Sequence, residues 1–244
     1  MEKLQYSSCF SGSYIPYREK IEWANYWWDE ANTPASERIL MIGDSTSRFY
    51  RGIVAKKLKC AVDFLGTCSA ITDLLFRKEL DLFFSMTEYQ YDFIHLQLGV
   101  HGIVPEGKQV LLEDCPDYYR YYEKDYRQLV VYLKSKCKKL VLGTITPVIV
   151  WKQYTNPLYA KLYTHLHRKS DEVLDGRFDQ GIKQRNGILI KIAKEQGVQV
   201  NDLYKLMSVG EGKNFRHTDH VHYEKIAKNL FADRLISYYR GKDI

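Results

Sequence analysis

The sequence has no stretch of about 18 or more uncharged apolar residues, so it offers no membrane-spanning helix. Glycine (15) and proline (6) are sparse and follow no period, which excludes collagen-like and low-complexity chains. There is no Gly-rich phosphate loop and no basic-aromatic RNA motif. The five cysteines, Cys9, Cys60, Cys68, Cys115 and Cys137, are odd in number and form no C-x-x-C. That argues against a disulfide framework and against a cysteine zinc site. The first residues, Met1-Glu2-Lys3-Leu4-Gln5-Tyr6-Ser7-Ser8, lack a long apolar core, so no secretory signal is expected and a cytoplasmic location is.

What is present fits an ordinary folded chain. Of 244 residues, 45% are hydrophobic and 27% charged, enough apolar residues to bury a core and too many for disorder. Lys plus Arg total 36 against 30 Asp plus Glu, a net charge of +6. The excess is modest, and its densest run, Lys134 to Lys139, reads as the solvated end of a helix whose dipole it complements. Neither a nucleic-acid nor a membrane partner is expected. Aromatics reach 14%, with clusters at Trp23–Trp28 and Tyr118–Tyr122. Such faces stack on sugars, pack helices or fill a dimer contact, and the composition leaves these readings open.

Short apolar runs recur with helical stretches between them. Arg38–Ile42, Ala61–Leu65, Phe93–Leu98, Lys139–Thr144 and Val198–Asn201 read as buried strands. Helical spacing is predicted over 46–58, 72–86, 117–136, 176–196 and 222–240. This alternation predicts a parallel sheet covered on both faces, an α/β chain, with ligands bound beyond the carboxyl ends of the strands. No repeat or linker divides the sequence, so residues 1–244 read as one domain. Residues 1–36 form an aromatic extension packed on it, with a short helix.

Chemistry-bearing residues fall at those strand ends. Gly43-Asp44-Ser45 closes the first run, and a serine there has its hydroxyl at a helix N-terminus that favours developing negative charge. The competing reading makes Asp44 or Ser45 only an N-cap. Near the other end, Arg216-His217-Thr218-Asp219-His220-Val221-His222-Tyr223 precedes the last helix. Asp219 and His222 are three apart, so the carboxylate can fix the imidazole tautomer while the other ring nitrogen takes the Ser45 proton. Two alternatives stand beside this: Asp219 caps the helix while His222 packs, or His217, Asp219, His220 and His222 hold a metal.

Gly43-Asp44-Ser45 together with Asp219-x-x-His222 resembles the SGNH (GDSL-type) hydrolases over about residues 38 to 240. Gly66, Thr144-Ile145-Thr146-Pro147-Val148 and Val200-Asn201-Asp202-Leu203-Tyr204 resemble further family segments. The resemblance implies a three-layer α/β/α sandwich with five parallel strands in the order 2-1-3-4-5. It also implies ester hydrolysis through an acyl-serine, without metal or other cofactor. Ser45, Asp219 and His222 then form the catalytic set, and the N–H groups of Ser45 and Gly66 hold the oxyanion. One block departs from the family: Gly99-Val100-His101-Gly102 has His101 where the family has asparagine. An imidazole N–H can donate to an oxyanion, so His101 is either the third donor or a residue that only packs beside the site. The substrate expected is a small acylated molecule, an O-acetylated carbohydrate in the preferred case. Acyl transfer to a sugar hydroxyl and a non-catalytic carbohydrate-binding role are the rival readings. Oligomeric state is not legible in the sequence.

Overall fold

The computed structural model describes residues 23–32, 37–101, 117–148, 176–209 and 221–241. The elements are β1 (Ala24–Trp27), β2 (Arg38–Gly43), α1 (Ser45–Leu58), β3 (Ala61–Thr67), α2 (Leu74–Ser85), β4 (Tyr91–Gln97), α3 (Tyr118–Lys134), β5 (Cys137–Gly143), α4 (Gly176–Gln196), β6 (Gln199–Asn201), α5 (Leu203–Ser208) and α6 (Lys225–Tyr239).

The strands form one sheet in the order β1-β3-β2-β4-β5-β6. All neighbours from β3 to β6 pair in parallel, and β1 adds to the β3 edge antiparallel. The parallel part is the expected five-stranded 2-1-3-4-5 sheet. A sixth strand comes from the N-terminal extension, whose described residues 23–32 hold no helix; the rest of the extension lies outside the described residues. Ala24–Trp27 becomes a strand because β3 offers it an open edge, with Ala24 opposite Thr67 and Trp27 opposite Phe64. The Cys68 thiol fixes its entry, donating to the Trp23 carbonyl at 3.3 Å and accepting the Trp23 N–H at 3.0 Å.

The apolar runs are strands because alternate side chains leave on opposite faces and both faces are covered. Leu40, Ile42, Leu65, Ile94, Leu96 and Leu142 pack beneath α2, α3 and α4, against Phe76, Leu80, Tyr122, Leu129 and Leu189. Ile39, Met41, Val62, Phe64, Phe93 and Val141 face the other way, against Tyr50 and Val54 of α1, Leu203 of α5, and Phe231 and Leu235 of α6. The Tyr118–Tyr122 cluster resolves in favour of packing: Tyr118 and Tyr122 are buried in the first of these layers.

At the amino end of the sheet Arg38 and Asp63 form a buried pair at 2.7 Å. Tyr91 donates to the same carboxylate at 2.9 Å, and the Asp29 N–H donates to it at 2.9 Å, tying the turn after β1 to the core. Among the described residues no helix is long and apolar enough to cross a membrane.

Candidate active site

The site lies at the carboxyl end of β2, where the chain turns into α1. Gly43 is required here by close approach: a Cβ would sit 2.3 Å from Ser47 Oγ and 2.6 Å from the Gln97 carbonyl of β4. Asp44 is the N-cap of α1, with extended backbone, and its carboxylate accepts the Thr46 N–H at 2.9 Å. Ser45 is thus the first residue of α1, where a backbone N–H has no intrahelical acceptor. The first turn is held to β4 by Gln97, whose side-chain oxygen accepts from Ser47 Oγ and from the Tyr50 hydroxyl, both at 2.9 Å.

Ser45 Oγ lies 2.5 Å from His222 Nε2, across 177 residues of chain. The competing reading of Ser45 as the cap falls away, because Asp44 performs that task. His222 is placed by its neighbour. Tyr223 is buried, and its hydroxyl donates to the Pro147 carbonyl at 2.9 Å, fastening the segment before α6 to the exit of β5. Phe49 of α1 meets the His222 ring edge-on at 5.0 Å between centroids. Asp219, His217 and His220 lie outside the described residues, as does Gly102.

The loop after β4 brings His101 to the same region. Its backbone is held by α4. From α4, the buried Arg185 donates through Nη1 to the Gly99 carbonyl and, at 3.3 Å, to the His101 carbonyl. Burial pushes the Asp44 carboxyl upward, and the neighbouring His101 and His222 together with its N–H donors pull it back down. Gly99 has φ of +133°, and a Cβ there would meet Ile145 at 2.9 Å, so glycine is needed on both counts. Ile145 is itself pinned to α4, its N–H donating to Asn186 Oδ1 at 2.8 Å and its carbonyl accepting from Asn186 Nδ2 at 2.9 Å.

Gly66 is placed differently from expectation. It lies inside β3 rather than beyond it, opposite Gly43 of β2 and Asn25 of β1. The Cys68 N–H donates to the Trp23 carbonyl, and antiparallel pairs alternate, so the Gly66 N–H faces Asn25 of β1. Arg185, Asn186, Tyr223 and Gln97 are positioning residues that no local motif marks.

Comparison with solved structures agrees with this architecture. A member of the lipolytic protein G-D-S-L family from Veillonella parvula superposes with a TM-score of 0.57 at 16% identity, covering 84% of this chain and 99% of that one. The fold is that of the SGNH hydrolases. A lipase/acylhydrolase from Enterococcus faecalis shares this SGNH fold with the chain, at TM-score 0.56 and 14% identity over 84% of this chain and 96% of the other. So does Axe2, an acetylxylan esterase from Geobacillus stearothermophilus, at TM-score 0.54 and 16% identity, covering 86% of this chain and 96% of that chain. Sequence comparison finds no matching family model and no matching curated protein.

Proposed function

We propose that the protein is a serine ester hydrolase that removes a short acyl group, acetyl in the preferred case, from a carbohydrate hydroxyl. The observation that carries this reading is the 2.5 Å approach of Ser45 Oγ to His222 Nε2 at a helix N-terminus on the carboxyl edge of the sheet. The solved structures that share the fold, an acetylxylan esterase and a lipase/acylhydrolase among them, support the same class.

In this reading Ser45 Oγ attacks the ester carbonyl while its proton passes to Nε2. The Asp219 carboxylate accepts from Nδ1–H and holds the imidazole in the tautomer that leaves Nε2 basic. The Ser45 N–H and the His101 ring N–H hold the oxyanion, and the α1 dipole favours its charge. Gly66 takes no donor part in this reading, because its N–H faces Asn25 of β1. The imidazolium returns its proton to the departing alkoxide, leaving acyl-Ser45. Water then attacks this ester with His222 again as base, releasing the carboxylic acid and restoring the hydroxyl.

Hydrolysis of 4-nitrophenyl acetate tests the assignment. Ser45→Ala and His222→Ala should each lose about 10⁴- to 10⁶-fold in kcat while remaining folded. His217→Ala and His220→Ala should keep most activity, and a chelator should have no effect. Full activity in folded Ser45→Ala would end the assignment. Loss with EDTA and recovery with zinc would favour the metal reading instead.

A further inference from the structure

The rim of the Ser45–His222 pair is built from cations on aromatic rings. Lys228 Nζ stands 4.3 Å from the centroid of Phe49, the ring that meets His222 edge-on. Arg48 lies over the other side of this rim, 5.6 Å from Phe49 and 5.0 Å from Trp23. Among the described residues neither cation forms an ion pair, and Arg48 spends one donor on Asn25 Oδ1 at 3.2 Å. A guanidinium has five such donors.

The placement runs against helix stability. Arg48 and Lys228 are each the fourth residue of a helix, α1 and α6, and neither helix has an acid in its first turn. A cation near a helix N-terminus opposes the macrodipole and destabilises the helix. Here two such cations and two such termini converge on one hydroxyl and one imidazole. Among the described residues the acids nearby are Glu224, at the N-cap of α6, and Asp44, which is buried and accepts the Thr46 N–H; Asp219, outside them, is assigned above to His222. The result is a positive field at the mouth of an acyl site, with flat apolar faces beneath each charge.

We propose that Arg48 and Lys228 bind an anionic oxygen group, carboxylate or phosphate, on the substrate, so that the natural ester is carried by an acidic molecule such as an acylated acidic saccharide. Phe49 and Trp23 fix the two cations beside His222, and the scissile ester enters between them and Ser45. This inference rests on the esterase reading above and adds the charge of the substrate to it.

Three acetyl esters of matched shape test it: 4-acetoxybenzoate, 4-acetoxyphenyl phosphate and the neutral 4-acetoxybenzamide. The wild-type protein should show a kcat/KM for at least one anionic ester about tenfold or more above the neutral one at low salt, with the advantage shrinking as ionic strength rises. Whichever anion is preferred identifies the group. Arg48→Gln and Lys228→Gln should each lower the anionic-to-neutral ratio severalfold, and the double variant should bring it near one. Lys124→Gln, an exposed position on α3 in the opposite helix layer, removes the same charge and should leave the ratio as it was. A wild-type ratio near one, a double variant that keeps the preference, or an equal drop in Lys124→Gln would overturn the proposal. If 4-acetoxybenzamide is cleaved without any preference, only this inference fails. If no ester is cleaved and a fluorophosphonate does not label Ser45, the esterase reading fails and this inference with it.

Discussion

His101 stands on a loop whose carbonyls at Gly99 and His101 are held by Arg185. This buried guanidinium fixes the backbone that carries the imidazole. If its ring N–H donates to the oxyanion, the contact strengthens as charge develops, and its loss appears in kcat. His101→Ala should therefore lower kcat by about 10²- to 10³-fold with little change in KM. His101→Asn restores a donor amide and should keep substantial activity. Normalising to sites titrated with a fluorophosphonate separates chemistry from folding. Equal kcat in wild type and His101→Ala would remove the imidazole from the mechanism and leave the oxyanion to the helix terminus.

At the scale of elements, α4 acts on the site through the His101 loop. Arg185 reaches two carbonyls of the His101 loop, and Asn186 beside it binds both backbone groups of Ile145. Lysine keeps the charge at position 185 but cannot span two acceptors with a rigid fork. Arg185→Lys should lower kcat roughly 10- to 100-fold, the usual cost of displacing a catalytic group by about an ångström. His101→Ala and Arg185→Lys should then combine less than additively, because one acts through the other. Additive losses in that double variant would separate the two.

These long-range bonds also explain what was legible in the sequence. The strands at 38, 61, 93, 139 and 198 show as apolar runs because both faces are buried, and the helices show as periodic faces. Gly43-Asp44-Ser45 and His222 are legible as motifs because chain direction and the turn into α1 place them. Ala24–Trp27 is not legible as a strand, since its four residues are set by the open edge of β3 rather than by a pattern of their own. Nor are Arg185, Asn186 and Tyr223, whose partners lie 41 to 86 residues away and leave no local spacing to read. Gly66 is legible as a required glycine, but its N–H direction depends on β1, which the local pattern does not announce.

Across the whole molecule, one buried histidine gives the fold an acid sensitivity of its own. His95 of β4 is fully buried between the sheet and α5, where its Nε2 faces the Asn201 amide at 3.3 Å. Burial holds its pKa down at about 3, against 6.5 for a free imidazole. Below pH 6.5 the unfolded chain takes up a proton that the folded chain refuses, so stability is lost as pH falls towards 3. At pH 5 this single residue costs ~2 kcal/mol relative to pH 7.5, a value set by the unfolded pKa alone. His95→Gln keeps an amide to face Asn201 and cannot titrate. Its unfolding free energy should fall less than that of the wild type between pH 7.5 and 5, by about that amount. Parallel pH profiles in urea would show that His95 does not govern the acid limb.

The central claim, an activated Ser45 served by His222, is tested most directly by reaction with a fluorophosphonate followed by peptide mass mapping. One adduct per chain on Ser45 is predicted, formed at least a thousandfold more slowly in His222→Ala. An unlabelled chain, or a label on another residue with Ser45 unmodified, would contradict it.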